Sequence, residues 1–243
     1  KFYSPALTGL YSQAVQMTSL LPNSIDETLS RVAYPIECEL QNDNEALRHT
    51  FYRFVRLNAF IVFPLMTGLA ALAEPLVRLL LMEKWLDVVP LIQILCFGWI
   101  WQPLSGLNWQ ILNVKHRSDY YMKSEIFKKI IAFTILFSTL FMGLVVLCVG
   151  WVIYCIIDLY VITLYTRRLL PAITFKNEMR VLVPILLRAL SMGGVYLLNY
   201  AVDSDILRIA LGVPLGCVLY TGISLLTRSE EIHYLIDMIK KRK

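Results

Sequence analysis

A run of 36 residues, from Ile130 to Tyr165, carries a single charged side chain, Asp158. An α-helix rises 1.5 Å per residue, so this run would extend about 54 Å as one helix, whereas the hydrocarbon core of a bilayer is about 30 Å thick. The run is too long for one crossing and long enough for two. We therefore predict two transmembrane helices joined by a turn near Gly143 to Gly150.

The whole chain shares this apolar character. Of its 243 residues, 57% are hydrophobic and 17% are charged, whereas soluble domains average about 45–50% and about 25%. We predict an all-α membrane protein, a polytopic bundle of about seven transmembrane helices. The expected spans are Leu7–Pro35, Phe51–Ala73, Val88–Leu112, Phe127–Val146, Cys148–Tyr165, Val181–Tyr200 and Ile206–Leu226.

The basic residues indicate how these spans are oriented. With alternating crossings, 17 of the 23 lysines and arginines fall on one side of the membrane, including those of the tail that ends in KKRK. By the positive-inside rule that side is cytoplasmic. We expect a multi-pass protein of the bacterial cytoplasmic (inner) membrane, with a cytoplasmic C-terminus and Lys1 outside.

The second span leads into an interrupted stretch, FPLMTGLAALAEPLVRLLLMEKW. Proline is tolerated in the first turn of a helix, and a carboxylate beside it suits the helix N-terminus. We therefore predict a corner after Ala73 and a short second helix over Leu76 to Met82. Arg78 would reach toward the headgroups and Trp85 would anchor the segment at the interface.

The first predicted helix carries polar residues at steps of three or four, with Pro22 near its middle. They are Ser12, Gln16, Ser19, Asn23, Asp26 and Ser30. Such a stripe lies on one helix face, where it would either line a water-filled cavity or hydrogen-bond to a neighbouring helix. Arg31, farther along, could bind phosphate oxygens in bidentate fashion, reach the headgroups or pair with Glu27.

Two further charges lie inside predicted spans, Asp158 in the fifth and Arg188 in the sixth. Counted from the cytoplasmic ends they are similarly deep, and unpaired charges at that depth are costly. We predict a mainly structural Asp158–Arg188 ion pair. The alternative for Asp158 is a role in proton relay.

No residue pattern points to catalysis, a cofactor or a metal. The carboxylates are scattered, the three histidines have no ligand partner at metal spacing, and the five cysteines form no C-x-x-C pair. Phosphate-binding glycine motifs are absent. The basic residues are dispersed at span ends, which favours membrane lipids over nucleic acid as the charged partner.

The order of several motifs resembles Wzx-like, WzxC-type polysaccharide (lipid-linked oligosaccharide) flippases of the multidrug/oligosaccharidyl-lipid/polysaccharide exporter superfamily, which includes the MATE exporters. The resemblance covers about Leu7 to Lys129, and the segment Lys115–Asp119 departs from it by lacking a glycine. The matching elements are Gly9–Ser12 with Ala14, Pro22, Ser30–Arg31 with Pro35, Phe63–Pro64 with Gly68–Leu69, and Ala73–Leu76 with Lys84–Trp85.

The resemblance implies a protein of about fourteen helices in two lobes plus two extra helices, working by alternating access. Since this chain starts without Met, we expect it to be the later part of such a protein. Residues 1–200 would hold the second-lobe helices and the following span, and residues 201–243 the last helix and a basic tail. The partners implied are a lipid-linked oligosaccharide, membrane lipids and the N-terminal lobe of the same protein.

The resemblance also implies a substrate cavity between the lobes, lined in part by the first helix of this chain. It favours cavity roles for Ser12, Gln16, Ser19, Asn23 and Arg31, with Arg31 contacting an isoprenoid diphosphate. Three alternatives stay open. They are a MATE-like small-molecule exporter, for which Asp26 and Glu27 argue, a membrane-embedded enzyme of polysaccharide assembly, and a structural subunit without transport.

Overall fold

The computed structural model describes residues 4–197, 202 and 204–227. Nine α-helices form within these residues, with 3₁₀ turns at Glu83–Val88 and Ser191–Leu197. The helices are α1 (Pro5–Glu39), α2 (Asn44–Ala71), α3 (Ala73–Leu81), α4 (Val89–Trp99), α5 (Gln102–Val114), α6 (Ser118–Thr139), α7 (Leu144–Leu169), α8 (Phe175–Leu190) and α9 (Asp205–Leu226).

Five stretches are long and apolar enough to cross a membrane. They are α2, Glu83–Val114, α7, Phe175–Leu197 and α9. This confirms the all-α membrane class, while the count of seven spans stays a prediction. Both α1, with 35 residues, and α6, with 22, exceed the roughly 30 Å needed at 1.5 Å per residue. Their polar and charged residues lower the apolar content.

The predicted turn between the fourth and fifth spans is confirmed. Helix α6 ends at Thr139 and α7 begins at Leu144, and Gly143 between them has φ +103°, a conformation open to glycine without a Cβ penalty. Helix α6 begins at Ser118 and ends at Thr139. Both ends lie earlier in the chain than those of the expected fourth span, Phe127–Val146. Within α6, Lys128 is buried in the bundle, whereas Lys123 and Lys129 are exposed.

The corner after the second span is also confirmed. Helix α2 ends at Ala71, and α3 starts two residues later with Glu74 and Pro75 in its first turn. Arg78 lies one turn further on, with Nη2 2.9 Å from Glu74 Oε1. Each of these features follows from local helix-terminus chemistry.

The third predicted span is broken into α4 and α5 at Ile100 and Trp101. Pro103 lies in the first turn of α5, where its missing N–H costs no helical hydrogen bond. Just before the break, Gly98 lets α7 approach closely, because a Cβ there would lie 2.2 Å from Trp151 Cζ3. Gly98 therefore permits close packing, and Pro103 is accommodated at the start of α5.

Helix α2 is central to the bundle and packs against α1, α4 and α8, while α7 packs against α4, α5 and α6. The apolar core between them includes fully buried Phe51, Phe63, Ile92 and Leu107. The last described helix, α9, is tied to α2 by a hydrogen bond that the Tyr220 hydroxyl donates to Phe60 O, at 3.1 Å. The predicted basic tail and Lys1 lie outside the described residues.

Candidate functional site

Helix α1 has a packed face and an exposed side, on which polar residues lie among exposed apolar residues such as Leu20. The packed face, which includes Ala14 and Pro22, is buried against α2, α4 and α5. On the polar face Ser12, Gln16 and Asn23 are exposed and Ser19 is half-buried. We call these four residues the α1 stripe.

Asp26 departs from the face that its spacing suggested. It is half-buried and turned toward α5, because a Cβ on Gly106 would lie 3.3 Å from each of its carboxylate oxygens. Its Oδ1 is buried and has no hydrogen-bond partner within the described residues. A glycine in α5 thus leaves space for a carboxylate of α1.

Arg31 lies beyond the α1 stripe at the far part of the same helix. Its Nη2 is 2.5 Å from Glu27 Oε1, and the two side chains are 76% and 67% exposed. An exposed i,i+4 pair of this kind contributes only about 0.3–0.5 kcal/mol. The guanidinium can therefore exchange Glu27 for another anion at little cost.

Asp158 has a partner that differs from the predicted Arg188. Lys128 of α6 places Nζ 3.0 Å from Asp158 Oδ1, and both side chains are 8% exposed. The same ammonium lies 2.5 Å from Glu125 Oε1, and the Tyr154 hydroxyl donates to Asp158 Oδ1 at 3.3 Å. The Asp158–Arg188 prediction placed Lys128 at the membrane edge, because the fourth span was expected to begin at Phe127. Helix α6 begins earlier, at Ser118, so Lys128 lies inside the helix.

Arg188 lies on α8 and is largely buried, and its Nε donates to Pro184 O at 3.1 Å. That bond closes one turn of its own helix beside a proline, whose ring opens the backbone ladder.

A second buried polar cluster joins three helices. Asn108 of α5 donates from Nδ2 to Glu178 Oε1 of α8 at 3.0 Å, and Thr163 Oγ1 of α7 lies 3.0 Å from Glu178 Oε2. All three residues are at most 1% exposed. Thr166 adds a hydroxyl 3.4 Å from Asn108 O. We call Asn108, Thr163, Thr166 and Glu178 the α5–α7–α8 cluster.

The loop between α5 and α6 carries a basic and aromatic group. Arg117 donates to both carboxylate oxygens of Asp119, at 2.8 and 2.9 Å, and its guanidinium lies 3.9 Å from the Tyr120 ring centroid. These hydrogen bonds to Arg117 lower the pKa of Asp119 to about 2. The loop therefore stays charged at every physiological pH.

Sequence reasoning missed both buried clusters, although one signal was available. Lys128 and Asp158 each lie 15 residues from Gly143, so a helical hairpin turning at that glycine brings them to the same depth. The α5–α7–α8 cluster had no such signal. Its neutral Asn and Thr side chains do not stand out, and their meeting depends on how α5, α7 and α8 pack together.

The described residues thus define an α-helical multi-pass membrane protein with a polar helix face. They contain no group of three or more His, Cys, Asp or Glu able to hold a metal ion.

Comparison with known proteins shows similarity to proteins of polysaccharide biosynthesis. Residues 1–90 match the family model described as "Polysaccharide biosynthesis protein". The chain is similar to a membrane protein in the cps region of Klebsiella pneumoniae, with 30% identity over 146 residues, 60% of this chain and 30% of that relative. It is also 29% identical to the lipopolysaccharide biosynthesis protein WzxC of Escherichia coli, over 50% of this chain and 25% of WzxC.

A third relative is the teichuronic acid biosynthesis protein TuaB of Bacillus subtilis, 29% identical over 49% of this chain and 25% of TuaB. The chain is thus similar, over part of its length, to Wzx-like membrane proteins of polysaccharide biosynthesis. The matched segments span less than a third of each relative's own length. No solved structure matches the chain.

Proposed function

We propose that this chain is part of a flippase that moves an isoprenoid diphosphate-linked oligosaccharide across the bacterial cytoplasmic membrane by alternating access. The observation that carries the proposal is the α1 stripe. It is an exposed polar face on a long helix of a multi-pass membrane protein whose family serves polysaccharide biosynthesis.

The exposed polar residues of α1 require surroundings that can form hydrogen bonds. Lipid tails offer no hydrogen bonds, so polar residues within a membrane protein face water, a cavity or another protein segment. The packed face of α1 already contacts α2, α4 and α5. The stripe would therefore line a hydrated cavity, closed on its far side by the N-terminal lobe of the full-length protein.

Arg31 would supply the anchor for the diphosphate. Guanidinium groups bind phosphate oxygens through two parallel charge-assisted hydrogen bonds. The exposed Glu27 pair holds the side chain in place until a diphosphate replaces the carboxylate. The sugar portion would lie along Ser12, Gln16, Ser19 and Asn23, whose hydroxyl and amide groups can both donate and accept hydrogen bonds.

The expected topology follows from the same reasoning. Residues 1–200 would form second-lobe helices and the following span, and residues 201–243 the last helix and a cytoplasmic tail. We propose no catalytic role and no cofactor.

The test uses the full-length protein in cells that lack it. Without the protein, the lipid-linked oligosaccharide should accumulate on the cytoplasmic leaflet, and the wild-type gene should relieve this accumulation. Arg31→Ala should lose most of the transport and Arg31→Lys should retain part. Arg48→Ala is the matched control, because Arg48 also pairs with a glutamate on its own helix, Glu45. Normal transport by Arg31→Ala, at wild-type protein levels, would refute the diphosphate contact.

One observation keeps a small-molecule exporter as a second candidate. The buried Asp26 Oδ1 faces α5 and lacks a hydrogen-bond partner within the described residues, and a cationic substrate that enters between α1 and α5 would contact it. In that case Asp26→Asn would abolish the export of lipophilic cations from cells, with no effect on oligosaccharide flipping.

A further inference from the structure

We infer that Glu178 is a proton-binding site, holding a proton that it donates from Oε2 to Thr163 Oγ1 while α8 is packed against α5 and α7. The inference rests on the α5–α7–α8 cluster and not on the α1 stripe.

The hydroxyl of Thr163 has one proton and lies close to two oxygen atoms. Its Oγ1 lies 2.8 Å from Leu159 O, one turn earlier on α7, and 3.0 Å from Glu178 Oε2. A threonine hydroxyl has one proton. In a helix interior that proton commonly goes to the carbonyl four residues before it. With that proton directed to Leu159 O, Thr163 Oγ1 acts as an acceptor, and we assign the proton of its 3.0 Å contact to Glu178 Oε2.

The carboxyl group of Glu178 lies in a buried environment. Glu178 is 1% exposed, and it forms no salt bridge within the part of the chain that the structure describes. Its neighbours along α8, Lys176 and Arg180, are exposed. A buried carboxylate without a counter-ion costs several kcal/mol, a cost that the neutral acid avoids.

Helices α5, α7 and α2 present side chains toward Glu178. Helix α5 presents Asn108, which donates to Oε1, and α7 presents Thr163, both neutral. From α2, the phenol of Tyr52 interacts electrostatically with Glu178 and donates its own proton to Ala172 O at 3.2 Å. The Arg48 guanidinium of α2 interacts electrostatically with that phenol but pairs with Glu45. Since no described residue forms a salt bridge with Glu178, a proton is the cation that completes the cluster.

The consequence is a link between proton binding and helix packing. If α8 moved away from α5 and α7, water would reach Glu178 and favour the ionised form. The proton is therefore bound more tightly in the packed arrangement, and a rise in pH favours separation of the three helices. Whether that separation serves transport depends on the proposed function, whereas the proton site itself does not.

The experiment is infrared difference spectroscopy on the full-length protein in lipid nanodiscs at pH 7. We expect Glu178→Gln to remove the C=O band of one protonated, buried carboxylic acid. The matched control is Glu45→Gln, which changes a carboxylate whose side chain is 72% exposed and should leave that band intact. The same band in Glu178→Gln and in wild type would overturn the assignment.

Glutamine preserves the hydrogen bonds of the neutral acid, donating to Thr163 and accepting from Asn108, so Glu178→Gln should fold. A second variant guards against the case in which it does not. Thr163→Val removes the acceptor, and we expect the acid band to shift to higher frequency without disappearing. An unshifted band in Thr163→Val would contradict the hydrogen bond that defines the site.

Thermal unfolding against pH gives an independent readout. Because the packed form binds the proton more tightly, wild-type stability should fall as pH rises above the unfolded-state glutamate pKa of about 4.3 and should level off once Glu178 is ionised in the packed form, and Glu178→Gln should remove this dependence. The comparison is made in sodium and in choline salts of equal ionic strength. A stability gain that requires sodium and is lost in Glu178→Gln would show a sodium site instead and refute the proton assignment.

Discussion

Replacing Lys128 with methionine removes the cation from the buried pair with Asp158. At an effective dielectric of about 20, unit charges 3.0 Å apart attract by about 5–6 kcal/mol. Removing one partner of such a pair costs about 3–5 kcal/mol, because the other charge is left buried and uncompensated. Asp158 would keep only the Tyr154 hydroxyl, 3.3 Å away. We therefore expect Lys128→Met to destabilise the protein by about 3–5 kcal/mol.

Asp158→Asn should cost less, because Lys128 keeps Glu125 at 2.5 Å. The double variant Lys128→Met/Asp158→Asn removes both charges and should be more stable than the sum of the single losses predicts. A double-mutant cycle then gives a coupling energy of about 1–3 kcal/mol. The assay is reversible unfolding of the purified full-length protein in mixed micelles of dodecyl maltoside and dodecyl sulfate.

Two further double-mutant cycles serve as controls. The Glu27–Arg31 pair is exposed, so the cycle Glu27→Gln with Arg31→Met should give a coupling of about 0.5 kcal/mol or less. The cycle of Asp158→Asn with Arg188→Gln should be additive, since Lys128 is the partner of Asp158. A loss below about 1 kcal/mol for Lys128→Met, or a strong Asp158–Arg188 coupling, would refute this account of the buried charges.

Two other sites give further expectations. Gly98→Ala should destabilise the protein by about 1–3 kcal/mol, because the new Cβ would lie 2.2 Å from the Trp151 ring. Gly222→Ala in α9 meets nothing within 4 Å and should be neutral or stabilising by up to about 1 kcal/mol, so equal melting shifts for the two variants would contradict the packing argument. Arg117 lowers the pKa of Asp119 to about 2, so the Asp119 contribution is complete above the unfolded pKa of about 3.9 and is lost as pH falls through about 2. When stability is measured against falling pH, wild type should be more stable than Asp119→Asn near neutral pH and should lose that advantage as pH falls through about 2. A constant difference in stability between the two proteins from neutral to acid pH would refute the prediction.

The sequence predicted those features of the fold that depend on local chemistry. The corner at Leu72 follows from Glu74 and Pro75 at the start of a helix, and the turn at Gly143 follows from the length of the apolar run. The partner of Asp158 was mispredicted because depth was counted from assumed helix ends. Helix α6 begins nine residues before the expected Phe127, and that difference moves Lys128 from the membrane edge to the side of Asp158.

The α5–α7–α8 cluster could not be predicted for a different reason. Asn108 on α5 meets Glu178 on α8, 70 residues later in the chain. Their contact depends on how α5, α7 and α8 pack together. Such long-range packing has no signature in the spacing of residues along one helix.

The two buried clusters also bear on the α1 stripe. Asp158 is neutralised by Lys128, and Glu178 is hydrogen-bonded by Asn108 and Thr163, so the interior satisfies these polar groups within the bundle itself. The stripe differs, because its side chains point away from the helices that pack on α1. A structural polar group needs a partner inside the fold, whereas a substrate-binding group must be left accessible. On that physical distinction we propose the stripe, rather than either cluster, as the surface for an oligosaccharide, and packing and protonation as the roles of the clusters.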